Sequence, residues 1–540
     1  MPQSTHPAAM HLVGEDESQP DRAKQQKVDE ILSTRPLIVV SNRGPVTFTH
    51  RKDGTFSARQ GSGGLVTAVR SVLHDHEAIW IAAAMTDGDR ARDRMAEEAG
   101  EYFIKDSPDS KFQLQFITPS HEAYNKYYNE ISNPLLWFLQ HYLWDTPRYP
   151  NITHETWDAW ENGYVAVNRM FADEVCKAAE TTEVEPVIML QDYHLYLVGQ
   201  MIRERRPDAI IQHFIHIPWP DPDYWRLLPL KMRRAICEGL LACDIVGFQT
   251  PELTRSFMHT CEANVPGCTF DWSGKRIIRD GHTTEVRDYP ISIDVESVRQ
   301  TAYSQEARAY ERYLPSHWNE YTILRVDRAE LSKNIVRGFM AFDRFLESHP
   351  EYQNRVNFIA ITQPSRLDVA EYRQYLDDMS ATAGRINARY ANVETGWQPI
   401  QIIMGESYPR VLAAMKWYDV LLVNSIIDGM ALVAKEGALV NERSGVMVLS
   451  EGAGAVQQLG DAALVVAPTD VEGTAEAFYQ AITMPIQERQ RRAHQLRRAV
   501  ENDDVRVWFR DQLADISDVC VARQHGSGDA AEPEAAVSPA

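Results

Sequence analysis

Several polar and charged residues follow directly on apolar runs, where an open α/β sheet presents its ligand contacts. Arg43 comes after Leu37-Ile38-Val39-Val40, while Asp192 and His194 come after Val187-Ile188-Met189-Leu190. His216 stands between Ile215 and Ile217, ahead of Pro218-Trp219-Pro220. A histidine in such a run is most often a hydrogen-bonded core group, and its strand-end position adds a ligand-binding alternative. Arg328 and Lys333 lie between the run Tyr321 to Val326 and a helix whose Ile335, Phe339, Phe342 and Leu346 form one apolar stripe. Ser332 reads as the N-cap, which puts Lys333 in the first turn. A cation is disfavoured there by the helix dipole unless an anion shares the site; a solvated surface pair is the alternative.

A second set is backbone chemistry. Asp428-Gly429-Met430-Ala431-Leu432 opens a helix that carries Glu436, and its free N–H groups could hold sugar hydroxyls or a diphosphate, with Asp428 and Glu436 accepting from hydroxyls. An Asp N-cap with a solvated Glu explains the same residues without a ligand. Gly61-Ser62-Gly63-Gly64 permits close backbone approach to a phosphate or sugar, yet it is neither a P-loop nor a dinucleotide fingerprint, because Val66 stands at the place of the last glycine. Tyr127, Tyr128, Trp137, Tyr142, Trp157 and Trp160 could line a sugar pocket or build a core. Asp87-Gly88-Asp89 and Asp221-Pro222-Asp223 imitate a metal-binding triplet, which an acidic chain produces often by chance.

The elements that must position these groups follow from the pattern of apolar runs. LIVV, AIWIAAA, VIML, IIQHFIHIP and CDIVGFQT alternate with amphipathic stretches, the rhythm of a doubly wound parallel sheet. VTFTHRKDGTFSARQ turns at Asp53-Gly54 as a hairpin. YPISID ends this unit, and YTILRV, VNFIAIT, DVLLVNS and GVMVLSEGAG build a second one. The predicted organisation is a disordered tail over 1–34 and two Rossmann-like domains over 35–293 and 294–495. A helix over 496–521 packs back toward the first domain, and a disordered tail covers 522–540. Two such domains imply one central cleft.

The chain has 540 residues, 55 Lys plus Arg against 76 Asp plus Glu, and 44% hydrophobic residues. That composition supports a large core and disfavours a disordered polyelectrolyte. A net charge of −21 disfavours nucleic acid as a partner, so any anionic ligand must be met by local cations. Six cysteines without a C-x-x-C pair give no zinc-ribbon or dithiol signal, and no run reaches the ~18 apolar residues of a membrane span. A cytoplasmic enzyme without membrane association is expected.

Taken in order, Ser41-Asn42-Arg43, Gly63-Gly64-Leu65, YYNEISNPLLW, QDYH, HIPWP, DIVGFQT, YPISID, RAELSK, PSR at 364–366, AGRIN, DGMALVAKE and LSEGAGA resemble the trehalose-6-phosphate synthase family, from about Leu37 to Asp504. The resemblance implies the GT-B fold, an acceptor-binding Rossmann-like domain over 35–293 facing a nucleotide-sugar-binding one over 294–495 across a cleft, and retaining transfer of glucose from UDP-, GDP- or ADP-glucose to glucose 6-phosphate. It assigns Arg43, Tyr128, Trp137 and Arg366 to the acceptor phosphate, Asp192 to the acceptor sugar, and Arg328 and Lys333 to the donor diphosphate. His216, Asp428 and the backbone from Gly429 through Met430 and Ala431 to Leu432 match contacts to the transferred glucose, Glu436 the nucleotide ribose, and Gly63 and Gly64 a loop over the donor. Arg328, Lys333, Asp192 and His216 are the implied catalytic set, with no cofactor and no metal. The chain departs from the family at Ala431, usually Asn, which leaves donor selectivity or sugar identity open, and more mildly at Glu330, usually Asp. Relatives that make glucosylglycerol phosphate or couple cyclitol units, and a silent sugar-phosphate-sensing subunit, are the alternatives. A homo-oligomer and a separate trehalose-phosphate phosphatase downstream complete the expected partners.

Overall fold

A computed structural model describes residues 19–51, 53, 55–60, 78–104, 112–312, 314, 319–367, 369–405 and 407–525. Its chain order is β1 (Leu37–Ser41), β2 (Val46–His50), β3 (Phe56–Gln60), β4 (Ala78–Ala83), β5 (Phe112–Ile117), β6 (Val187–Gln191), β7 (Ile210–Phe214), β8 (Ile245–Phe248), β9 (Thr269–Asp271), β10 (Arg276–Arg279) and β11 (His282–Asp288) in the first domain. The second domain holds β12 (Tyr321–Ala329), β13 (Val356–Pro364), β14 (Ile400–Met404), β15 (Val420–Val423), β16 (Val446–Ser450) and β17 (Leu464–Val466). The helices that matter for the site are α1 (Gln19–Thr34), α2 (Ala166–Glu180), α3 (Ile335–Ser348), α4 (Leu432–Val440), α5 (Ile486–Glu501) and α6 (Val505–His525).

The first sheet runs β5-β4-β1-β6-β7-β8-β11-β10-β9, and the second runs β14-β13-β12-β15-β16-β17. All pairs are parallel except those at one edge of the first sheet, where β9, β10 and β11 form an antiparallel meander that the apolar rhythm did not disclose. The hairpin at Asp53 is present as β2 paired with β3. Parallel strands are covered on both faces, which is why they read as unbroken apolar runs. In β1, Leu37 and Val39 enter one core and Ile38 and Val40 the other, the period of two that a strand imposes. Helix α2 packs beneath β1, β4 and β5 on the Ile38 side.

Three expectations about the ends of the chain need correction. Residues 19–34 are not a tail: they form α1, which lies along α6 with Val28 and Ile31 buried. Lys24–Asp511 at 3.0 Å, Lys27–Asp518 at 2.6 Å and Asp21–Arg510 at 2.7 Å flank that apolar seam. A helix with so few apolar residues is marginal alone and gains its stability from the surface it covers. The expected boundary at 495/496 falls inside α5, and the chain crosses back at Asn502–Asp504 instead. The second expected tail begins too early, since α6 continues to His525.

Two crossings join the domains side by side. Val505 donates its N–H to the Ile293 carbonyl at 3.0 Å, and the Val295 N–H donates to the Asp504 carboxylate at 3.0 Å. The buried Lys435 of α4 bonds the Ile291 carbonyl at 2.9 Å and Asp503 at 3.1 Å, tying both crossings to one helix. Helix α6 then returns to the first domain, where Trp508 packs on Phe214 and Gln512 accepts from Gln212 at 2.6 Å.

Candidate active site

Strand order decides where ligands can sit. In the first sheet the chain winds one way from β1 to β4 and β5, and the other way from β6 onward, so the crevice opens between the ends of β1 and β6. Arg43 follows β1 and Asp192 follows β6. In the second sheet the reversal falls between β12 and β15, which places Arg328 and Lys333 beside Asp428 and Gly429. A cavity of about 820 Å³ joins the two crevices, lined by Arg43, Tyr128, Trp137, Asp192, Arg328, Lys333, Arg366, Asp428 and Gly429 among others. A second, of about 680 Å³, opens on the far side of Arg328 and Lys333 and is lined by Ala431, Leu432, Glu436 and Tyr408. The two cavities share Arg328, Lys333 and Gln363.

The wall of aromatic groups is built by a widened, π-type helical segment, Lys126–Trp137, of the kind often found at functional sites. It turns Tyr128 and Trp137 into the cavity, while Tyr127 and Trp160 are core. Arg366 sits over Trp137, with its guanidinium 4.0 Å from the ring centre, and donates to the Tyr372 hydroxyl at 2.7 Å. Tyr128 stacks between Tyr124 and His194. At the end of β1, Ser41 accepts from Trp80 at 2.8 Å and donates to the Arg43 carbonyl at 2.7 Å, which fixes the backbone that carries Arg43.

Asp192 has φ 74° and ψ 175°, a strained conformation that is nearly confined to glycine and is held here by its surroundings. Its N–H donates to the Phe214 carbonyl at 2.7 Å and its carboxylate accepts from the His216 N–H at 3.3 Å. Burial pushes its carboxyl up to about 7, against the pull of the Tyr193 and His216 N–H groups and of Arg366 and Arg328. His216 departs from expectation: its imidazole lines neither cavity but bonds the Gln191 side chain at 2.9 Å and packs near Trp508. Burial holds it at about 3, so it is neutral at physiological pH. What the second domain meets is the His216 carbonyl, since a Cβ on Gly429 would lie 2.0 Å from that oxygen. Only glycine allows this approach of the two domains.

Ser332 is not the N-cap. Leu331–Lys333 is a 3₁₀ turn, Asn334 takes φ 60°, and α3 starts at Ile335, so Lys333 lies just before the helix. The apolar stripe of α3 is buried as the spacing required. Lys333 pairs with Asp428, and the Asp428 carboxylate also accepts from the N–H groups of Met430 at 3.3 Å and Ala431 at 3.1 Å. Burial opposes both charges, but each holds the other ionised: Asp428 is lowered by Lys333, and Lys333 is raised by Asp428 and Asp327. Ala431, at φ 68°, turns the chain into α4. Gly429 and Asp428 face the larger cavity, Ala431 and Leu432 the second, and Met430 is core. Glu436 accepts from Tyr408 at 2.8 Å, and burial pushes its carboxyl up to about 7 despite that bond. Gly63 and Gly64 lie outside the described residues.

Several contributors escaped the sequence reading. Arg325, fully buried, pairs with Asp327 at 2.6 Å and donates to the Lys333 carbonyl at 2.8 Å, so it holds the turn that presents Lys333. Arg59 brings the β2–β3 hairpin to the rim of the second cavity, and Tyr408 supports Glu436 there. His141 stacks under Trp137 at 3.9 Å. A buried Arg and Asp two residues apart on a strand was a readable signal; the others needed the fold. Asp89 and Asp221 of the acidic triplets are occupied as a capping box and a Ser256 acceptor. Among the described residues, no helix is long and apolar enough to cross a membrane.

Two doubly wound sheets facing each other across a cleft, with cations at both switch points, define a glycosyltransferase of the GT-B fold. Residues 35–518 match the sequence profile of glycosyltransferase family 20, and the chain belongs to that family. It is 31% identical over 494 residues to the alpha,alpha-trehalose-phosphate synthase (UDP-forming) of Schizosaccharomyces pombe, covering 90% of this chain and 91% of that protein. It is 30% identical over 476 residues to a longer synthase of the same description from Dictyostelium discoideum, of which it spans 61%. An alpha,alpha-trehalose-phosphate synthase (UDP-forming) from Burkholderia xenovorans in complex with glucose-6-phosphate superposes with TM-score 0.76 at 28% identity, over 89% of this chain and 99% of that one. A structure from E. coli bound with UDP-2-fluoro glucose superposes with TM-score 0.75 at 26% identity, again over 89% and 99%.

Proposed function

We propose that this chain transfers glucose from a nucleotide-glucose, UDP-glucose in the first place, to glucose 6-phosphate, with retention at the anomeric carbon, to give trehalose 6-phosphate and a nucleoside diphosphate. The observation that carries the reading is the pair of cavities that share Arg328 and Lys333. One is large enough for a sugar phosphate and has Arg43 and Arg366 on its walls; the other ends on the Glu436–Tyr408 pair, suited to a ribose. The names of the relatives supply the substrates, being UDP-forming synthases and structures holding a UDP-sugar analogue or glucose-6-phosphate.

In this reading Arg43, Arg366 and Tyr128 bind the acceptor phosphate, with Trp137 holding Arg366 in place by its cation–π contact. Asp192 accepts from an acceptor hydroxyl, and its raised carboxyl keeps part of the population protonated at neutral pH. Arg328 and Lys333 meet the charge that builds on the departing diphosphate, the step where fixed charge is worth most. Because Lys333 is already paired with Asp428, the donor diphosphate has to share it with that carboxylate. The Gly429–Leu432 backbone cradles the transferred glucose. The proton of the acceptor hydroxyl goes to the leaving phosphate oxygen, which requires no protein nucleophile. The charge is carried by these side chains, so the reading includes no metal, and turnover should survive a chelator.

The test is mass spectrometry and anomeric-proton NMR on purified protein incubated with glucose 6-phosphate and UDP-, GDP- or ADP-glucose. An α,α-linked disaccharide phosphate with one preferred donor is the expected result. No product from any donor, or a β-linked product, would overturn the reading.

A further inference from the structure

Resting on that reading, we propose that Glu330 is a positioning residue that couples the two substrate sites, transmitting occupancy of the acceptor-phosphate arginine, Arg366, to the donor-phosphate arginine, Arg328. Glu330 is fully buried, in the extended turn between β12 and the 3₁₀ segment. One of its oxygens, Oε1, receives everything: Ser365 Oγ donates to it at 2.9 Å and Arg366 Nη1 at 3.2 Å, and Arg328 Nη1 pairs with it at 3.1 Å. Among the described residues no donor reaches Oε2, although that atom is buried too. Two guanidiniums, both on the wall of the larger cavity and one of them, Arg328, also lining the second, therefore compete for the same oxygen.

The two arginines are not equally held. The side chain of Arg366 is 10% exposed and is fixed from two further directions by Trp137 and Tyr372, whereas that of Arg328 is 52% exposed and Glu330 is its ion-pair partner. An anion that engages Arg366 draws part of its charge away from Oε1. The carboxylate then holds Arg328 more tightly, and the cost of ordering that side chain is met before the donor arrives. A shared ordering cost of this kind makes the second ligand bind more tightly than it would alone. The charge needed for this is secure: burial favours the protonated acid, but Arg328, Arg366 and Lys333 bring Glu330 down to about 2.

The experiment is calorimetric titration of the full chain with UDP, without and with saturating glucose 6-phosphate, for the wild type, Glu330→Gln and Glu330→Asp. In the wild type, glucose 6-phosphate should tighten UDP binding by about fivefold, the low end of measured couplings. Glu330→Gln keeps the shape and removes the charge, and its coupling factor should fall to about one. Glu330→Asp keeps the charge but draws it back by about one C–C bond (~1.5 Å), so its factor should lie between the two, and it carries the test if the Gln variant does not fold. A residue that only supported the fold would weaken both affinities and leave their ratio intact. Equal coupling in the wild type and the variants, or none in the wild type, overturns the proposal. A wild type that binds neither UDP nor glucose 6-phosphate overturns the functional reading and this inference with it.

Discussion

Replacing Asp192 with Asn should stabilise the fold at pH 8 while abolishing most of the turnover. The folded carboxyl sits at about 7 because burial disfavours its charged form, against an ordinary value of 3.8. Between those values the unfolded chain has lost the proton and the folded chain keeps it, so the folded state binds more protons and stability falls as pH rises. The penalty builds from about pH 4, is complete above about pH 7, and is constant beyond. A difference of about three units at ~1.4 kcal/mol each gives ~4 kcal/mol, and because the carboxylate borders the open cleft we count about half, ~2 kcal/mol. For a domain of this size that is about 4 °C or more in Tm. Asn has the shape of Asp, so the substitution removes the charge and leaves whatever strain the φ 74°, ψ 175° backbone carries unchanged. Thermal melts of both proteins at about pH 4.5, 6, 7 and 8 check it. The gain should grow through this window and flatten above pH 7, while kcat falls by about 10²-fold. A Tm difference that does not change with pH would refute the claim that a buried carboxylate is held there at a cost.

The contact between domains gives a second prediction: Gly429→Ala places a Cβ 2.0 Å from the His216 carbonyl, so turnover should fall by about 10²-fold or more with the melting temperature of each domain retained, and small-angle scattering with both substrates should report a wider separation than in the wild type. At the ribose end, Glu436 titrates at about 7, so UDP should bind several-fold more tightly at about pH 8 than at about pH 6; Tyr408→Phe removes a bond that favours the carboxylate and should move that midpoint upward, as binding titrations across pH would show. Ile31→Asp breaks the seam between α1 and α6 and should cost about 2 kcal/mol, read as a lower Tm and as cleavage within residues 19–34 by trypsin at concentrations that spare the wild type.

Much of the site was legible because a parallel strand buried on both faces has to be apolar, and the first polar residues after it must be at its exposed end. That reasoning places Arg43, Asp192 and Arg328 at or near strand ends, the opening of α4 singles out Asp428, and the family resemblance assigns their roles; the periodicity of α3 is equally local. What local pattern misjudged were partners. Ser332 looked like a cap because the 3₁₀ turn and the φ of Asn334 are imposed by Arg325 and by carbonyls of other segments, at Asn424 and Pro468. α1 looked like a tail because the surface that orders it lies almost five hundred residues away in α6.

The sequence by itself determined which residues stand at strand ends, the number of sheets and the family pattern, since these depend on neighbours along the chain. The tertiary structure alone decided that β1 lies beside β6 and β12 beside β15, and so which of those strand ends share a crevice. It also decided that Lys333 is committed to Asp428, that the His216 ring turns toward Gln191, and that Glu330 stands between Arg328 and Arg366. Strand order and side-chain pairing are chosen by the free energy of burying whole faces and by competition among distant charges for the same partner, and neither is encoded within any one segment.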